Sequence, residues 1–259
     1  MTEKMRITGD HWFGLLGKLV VALCLLPMIA VAIAALSGGF DTIVSLSQSV
    51  LPRYVGATLQ LSVIVGLGTA VIGTGAAWLV TMTRFFGRRV LEIALALPLA
   101  FPAYVLAYAY TDLLDHPGLV QSTLRAFMGW GPRDYWFPEI RSLGGAAAML
   151  VLVLYPYVYL LARAAFLRQS ATAYIAARTL GQGPWGAFWR VSLPVARPAI
   201  AGGVLLALME TLADYGTTAY FGVQTFATGI YVSWFGLFDR AAAAQLALCL
   251  LVVALTLAT

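Results

Sequence analysis

The sequence predicts an all-α fold, a polytopic membrane helix bundle of about six transmembrane helices with a short helical elbow on its cytosolic side. Three observations lead there. Of 259 residues, 61% are hydrophobic and only 10% charged, with a mean hydropathy of +0.86, whereas soluble domains carry about 25% charged residues. Apolar runs long enough to cross a hydrocarbon core of about 30 Å alternate with short polar stretches. One of those stretches, Arg163 to Arg197, holds five arginines, no acid and a Gly-x-Gly-Pro break. The net charge of +5 does not indicate nucleic acid, because the basic residues are confined to particular loops rather than gathered in one stripe. Cys24 and Cys249 lie far apart inside apolar segments, which points to packing rather than to a disulfide or a metal site.

Residues 1–13, with Glu3, Lys4, Arg6 and Asp10, read as a cytosolic tail ahead of a membrane domain over 14–259. Leu15 to Leu36 is an apolar run broken only by Lys18. It exceeds the 7–15 residues of a signal-peptide core, and Ser37-Gly38-Gly39 is a poor cleavage site, so it counts as a membrane helix over 15–36. A loop over 37–57 holds Asp41, Pro52 and Arg53. The second helix, 58–80, carries Gly66 with Gly73 and Gly68 with Gly75, each pair two turns apart, a small-residue stripe that lets another helix come close. No Walker A pattern occurs, so ATP is not bound here through that motif.

The turn at 81–92 sets Arg84, Arg88 and Arg89 against Glu92. The third helix, 91–114, contains Pro98 and Pro102, where a bend or local unwinding is expected. Residues 115–142 are polar, with Trp130, Tyr135, Trp136 and Phe137 grouped as an interfacial belt would be. His116 beside Pro117 has no second His or Cys near it and reads as a surface residue. The fourth helix covers 143–167, the fifth 199–215, and the sixth 241–259. Between the last two, 216–240 is aromatic and Gly-rich, expected as a short helix or re-entrant piece. The final run ends without a basic flank, so the chain is expected to continue as part of a longer one.

Charge counting orients the bundle. Placing the tail, the 81–92 turn and the 163–197 loop on one side collects eleven basic residues against three acids, leaving five basic residues and eight acids on the other. The positive-inside rule makes the first side cytosolic, with the N-terminus inside.

The loop itself, 168–197, predicts two short helices around a corner. Thr172 to Leu180 is rich in helix formers, and Gly181 and Gly183 supply the open or left-handed backbone that ends a helix. Pro184 suits a first helical position, so a second helix runs to about Val191 and stops at Pro194, and Pro198 opens the next membrane helix. Trp185, Phe188 and Trp189 fall on one side of that second helix, an apolar face ringed by arginine.

Glu210 and Asp214 are four apart and share one face of the fifth helix. Counted from Pro198 at 1.5 Å per residue they lie about 18 and about 24 Å in. Ionisable groups at such depth face a cavity or a partner; a pair hydrogen-bonded inside the bundle is the alternative. Tyr108, Tyr155 and Tyr215, among other tyrosines, offer phenol oxygens that with carboxylates suit a hard cation, although tyrosine is also ordinary at membrane interfaces.

The register Ile175-Ala176-Ala177, then Arg178, Gly181 and Val191-Ser192-Leu193-Pro194 resembles the coupling-helix loop of binding-protein-dependent ABC importers, written Glu-Ala-Ala, three residues, Gly, nine residues, Ile-x-Leu-Pro. Ile175 stands where that family has Glu. The strings LPLAFPAYVLAYAYTDLLD (97–115), YWFPEIRSLGGAAAMLVLVLYPYVYLLARAAF (135–166) and ADYGTTAYFGVQTFATGIY (213–231) look like permeases of ferric-iron ABC importers, specifically the first half of a two-repeat permease. The resemblance implies a type I importer transmembrane domain in the inner membrane. It implies an ATPase dimer on the cytosolic side, which binds ATP and Mg so that this chain needs no cofactor. It also implies a periplasmic or lipid-anchored ferric-binding protein outside and a second permease half. Ile175, Ala176, Ala177, Arg178, Gly181, Leu193 and Pro194 are then the ATPase-coupling residues. Glu210, Asp214, Tyr215, Tyr108 and Tyr155 are the candidate translocation pathway. Permeases for thiamine, polyamine, sulfate or phosphonate share the loop, and an ion-coupled secondary transporter is the reading from another class.

Overall fold

The computed structural model describes residues 10–169 and 171–258. Glu3, Lys4 and Arg6 of the expected tail lie outside them. Helix α1 (Asp10–Ser37) takes in the end of that tail, and its apolar surface is exposed along nearly its whole length. The stretch expected as a loop over 37–57 is instead helical. Gly39, at φ +68°, turns the corner, α2 (Gly39–Ser49) follows, and α3 (Leu51–Met82) begins with Pro52 in its first turn. Proline there loses only an N–H that had no helical partner, so Pro52 starts a helix rather than marking a loop. Gln245 of the last helix clamps this corner, its Nε2 donating to the carbonyls of Ala35 at 3.1 Å and Gly39 at 3.0 Å.

The centre of the bundle is α7 (Leu143–Arg168), packed on α3 and on α10 (Leu193–Ala213). Small residues set how closely these helices cross. A Cβ at Gly73 would stand 2.8 Å from the Tyr155 carbonyl oxygen and 2.9 Å from the Tyr159 nitrogen; one at Gly203 would stand 2.6 Å from Val158 Cα. The glycine stripe of α3 therefore divides: Gly68 and Gly73 face α7, Gly66 faces Val204 and Leu208 of α10, and Gly75 faces open space. Around these crossings Leu61, Val65, Leu150, Val153, Leu154 and Ala207 are buried in one cluster, and Ala77, Trp78, Tyr155, Tyr159, Phe166 and Phe188 in a second nearer the elbow.

The third membrane segment is not one helix over 91–114. It divides into α4 (Arg88–Ala94), a tight 3-10 turn (Leu97–Ala100), α5 (Ala103–Leu114) and α6 (Leu119–Met128). The part up to Ala100 meets the part from Ala103 at a bend of 103°. Pro98 and Pro102 cause it: neither can donate to the preceding turn, and Phe101, just before Pro102, is held extended at φ −116°, ψ 139°. The polar stretch 115–142 accordingly contains a helix, α6, tied down by side chains. Gln121 Nε2 donates to the Leu114 carbonyl at 2.8 Å, the Tyr135 hydroxyl to Gln121 Oε1 at 2.7 Å, and Arg125 to the Tyr135 oxygen at 2.8 Å.

The fifth segment also differs from its expected 199–215. Helix continues from α9 (Pro184–Ala187) through a wide turn (Phe188–Ser192) into α10, so Pro194 does not stop it and Pro198 lies within it. The Leu193 N–H bonds to the Phe188 carbonyl, five residues back. This wider turn moves the carbonyl that an α-helical register would drive into the Pro194 ring. Beyond Ala213, α11 (Gly216–Tyr220), α12 (Phe226–Tyr231) and a wide turn (Val232–Gly236) lead to α13 (Arg240–Ala258). Among the described residues five helices are long and apolar enough to cross a membrane, six if the bent segment counts as one span.

Replacing Gly73 or Gly203 by Val is expected to lower stability in detergent by about 1–3 kcal/mol, because backbone atoms cannot yield to the new side chain. Gly75→Ala, with nothing within 4 Å, should leave the thermal transition in place. Equal effects at the three sites would contradict these crossings.

Candidate functional site

The elbow is built as its glycines suggest, with one refinement. Helix α8 (Ala171–Thr179) ends where the Gln182 N–H donates to the Ala177 carbonyl at 3.1 Å and the Gly181 N–H to the Arg178 carbonyl at 3.2 Å, with Gly181 at φ +85°. This bond pair is a Schellman closure, which requires a left-handed residue at Gly181. Gly183, at φ −64°, does not need to be glycine for conformation. Arg178 closes the corner a third time, its Nη1 donating to the Gln182 carbonyl at 2.9 Å. Arg163, counted in the basic loop, instead belongs to α7, where it pairs with Glu92. The Tyr159 hydroxyl donates to the Glu92 carbonyl at 2.9 Å, tying α4 to α7.

The elbow is fastened to the bundle at its base. Phe188 is buried with its ring 5.1 Å from Trp78 of α3, and Trp185 stacks on Trp78 at 5.2 Å. Such ring pairs contribute about 0.5–1.5 kcal/mol each beyond area burial. Ala187, Ser192 and Ala196 are buried in the same place. Thus Phe188 is spent inside the chain and does not belong to an outward face, and Trp185 and Trp189 flank it at the base, while at the tip Ile175 is 57% exposed and Leu180 82%. Ala176 is exposed and Ala177 half-buried, and Leu193 and Pro194 lie at the half-buried base rather than at the tip.

The tyrosines and acids expected along the pathway are engaged differently by the fold. Tyr155 is buried in the α3–α7 interface. Tyr108 stands edge-on to Tyr220 at 4.2 Å, and Tyr215 stacks on Tyr231 at 4.1 Å. Asp214 falls just past the end of α10 and caps α11, accepting from the Thr218 N–H at 2.9 Å and the Thr217 hydroxyl at 3.0 Å. Glu210 is the one of these with no such engagement. Its Oε1 lies 3.5 Å from the Tyr157 hydroxyl, the outer limit of a hydrogen bond, and both residues line a cleft of about 320 Å³ against the Leu99–Ala103 break.

Sequence reading passed over Tyr157 in favour of Tyr155, although a signal was present. At 100° per residue, Tyr155 and Tyr159 share one face of α7 and Tyr157 points nearly opposite. Only the contacts show which face meets α3 and which meets α10. Trp78, the anchor of the elbow, had no signal in its own stretch, because its partners lie over a hundred residues on.

A bundle of membrane-crossing helices carrying a stiff two-helix elbow at one end defines a transport permease subunit. Residues 62–259 match the family described as binding-protein-dependent transport system inner membrane component, and the chain belongs to that family. It is 28% identical, over 93% of its length, to the Fe(3+)-transport system permease protein FbpB 2 of Haemophilus influenzae, and spans 44% of that protein. It is 30% identical to a probable molybdenum ABC transporter permease protein of Haloferax volcanii, over 88% of this chain and 82% of that one. Among solved structures, a bacterial alginate ABC transporter in complex with its alginate-bound periplasmic protein has a chain that superposes with a TM-score of 0.78 at 21% identity, covering 96% of this chain and 92% of that one.

A Cβ-bearing residue held left-handed costs about 1–2 kcal/mol. Gly181→Val is therefore expected to speed amide exchange across 177–187 while the bundle keeps its protection, and Gly183→Ala to leave exchange unchanged. Faster exchange in both variants would mean that the corner is not held by this closure.

Proposed function

We propose that this chain is the permease subunit of an ATP-driven importer that takes up ferric iron handed over by a binding protein. The observation that carries the reading is the elbow, closed by three bonds at its corner and rooted on Trp78, with an open apolar tip set among arginines. In this reading the tip sits in a groove of an ATPase dimer on the cytosolic side, with the N-terminus on that side too, in a bacterial inner membrane. ATP and Mg belong to that partner, and the permease does no chemistry of its own. Closure of the ATPases moves the elbow as a rigid body, a small displacement amplified because packed interfaces are bistable rather than continuously deformable.

Ferric and molybdenum permeases both match most of this chain, and iron is favoured by the lone carboxylate of the cleft. The second permease half comes either from the same chain or from another subunit.

Arg178→Glu is expected to abolish ATP-driven uptake of labelled ferric iron in proteoliposomes holding the ATPase and the binding protein. It breaks the bond to Gln182 and reverses charge at the docking rim. Purification yield and thermal stability should stay near wild type. Undiminished uptake would defeat the coupling assignment, and uptake that continues after ATP depletion with the proton gradient intact would favour a secondary transporter.

A further inference from the structure

The bend at Leu97–Pro102 leaves backbone polar groups inside the membrane segment. Among the described residues no backbone N–H donates to the carbonyls of Ala100 or Phe101, and both residues line the cleft with Tyr157 and Glu210. Irregular backbone in a spanning segment is tolerated where protein buries it or where it faces a wet cavity. Tyr157 lies 14 residues from the start of α7 and 11 from its end, hence about 21 and about 16 Å from the two ends. Its contact with Glu210 therefore places that carboxylate near mid-membrane, where an ionised group is retained for a cavity, a partner or a passing ion. Within this chain the ion pairs of the described residues are Arg141 with Asp115 and Arg163 with Glu92, so neither engages Glu210. The cleft lining contains no Lys, Arg or His.

We infer that the cleft lined by Ala100, Phe101, Tyr157 and Glu210 is a transit site for a hard, oxygen-seeking cation, with Glu210 deciding against oxyanions. This rests on the importer reading and gives its cargo a place in the bundle. Carboxylate, phenol and carbonyl oxygens are the donors that hard cations take. A sulfate- or molybdate-like dianion would meet the same carboxylate with no cation to offset it, in a medium where like charges repel strongly. The site is weak by construction. Among the described residues no group of three or more His, Cys, Asp or Glu could hold a metal, and a transit site must release what it binds.

The test uses proteoliposomes containing the full permease, its ATPase and its binding protein, with labelled ferric iron and labelled molybdate offered separately. Glu210→Gln is expected to cut iron uptake by about ten-fold while ATPase stimulation by the loaded binding protein persists, because the elbow is untouched. Unchanged iron uptake overturns the site and leaves the importer reading standing. Molybdate uptake without iron uptake by the wild type also overturns it, together with the iron assignment, while the ATP-driven importer stands. Should wild-type uptake not depend on ATP at all, the importer reading falls instead. Terbium(III) emission excited through tyrosine then still decides the site in the purified chain: loss in both Glu210→Gln and Tyr157→Phe supports it, and equal emission in wild type and variants overturns it. Tyr157→Phe also carries the uptake test if Glu210→Gln fails to assemble.

Discussion

The structure depends on how closely α7 can approach α3 on one side and α10 on the other. In a bilayer there is no hydrophobic driving force between helices, so association rests on van der Waals fit. Gly73 and Gly203 supply that fit at the level of Val158, where added side-chain atoms would collide with backbone. Gly68 against Val151 extends it toward the other end of α7. Everything with a candidate function hangs from this three-helix contact: the elbow is rooted on α3 and leads into α10, and the cleft lies between α7, α10 and the broken segment.

That arrangement joins the elbow to the cleft through rigid parts. Phe188 bears on Trp78, the turn at 188–192 leads without interruption into α10, and Glu210 sits near the far end of the same helix. A displacement of the elbow is therefore carried along one helix to the carboxylate, and through Trp78 to α3. The wide turn that accommodates Pro194 lies at the joint. Such turns recur at functional positions because the backbone there has a second hydrogen-bond register within reach. The broken segment is held differently, by Glu92 and Tyr159 at one end and by Arg141, Asp115 and Tyr220 at the other, so it does not travel with α10.

Much of the fold was legible from residues alone. The apolar runs predicted the membrane segments to within a few residues for α1, α7 and α13, because a 30 Å core demands about 20 apolar residues whatever their order. The corner at Gly181 was legible because a helix can close that way only over a left-handed residue. Prolines misled. Pro52 read as a loop residue, Pro194 as a stop and Pro198 as a helix start, yet Pro52 lies in the first turn of α3 and Pro194 and Pro198 are carried within continuous helix, whereas Pro98 and Pro102 do break the chain. The difference lies in whether a neighbouring turn can adopt another register, which is a property of the packed backbone.

The sequence by itself determined that this chain carries membrane-length apolar helices and that a basic elbow interrupts them, because hydropathy, helix closure and loop charge are local quantities. Only the tertiary structure decided which of several candidate oxygens stay open to a ligand. Asp214 is absorbed by Thr217 and Thr218, Tyr155 by the α3 interface, and Glu210 is left facing Tyr157 across a broken helix. Those outcomes follow from which faces of α7 and α10 meet, and helix rotation is set by long-range packing that no single segment encodes.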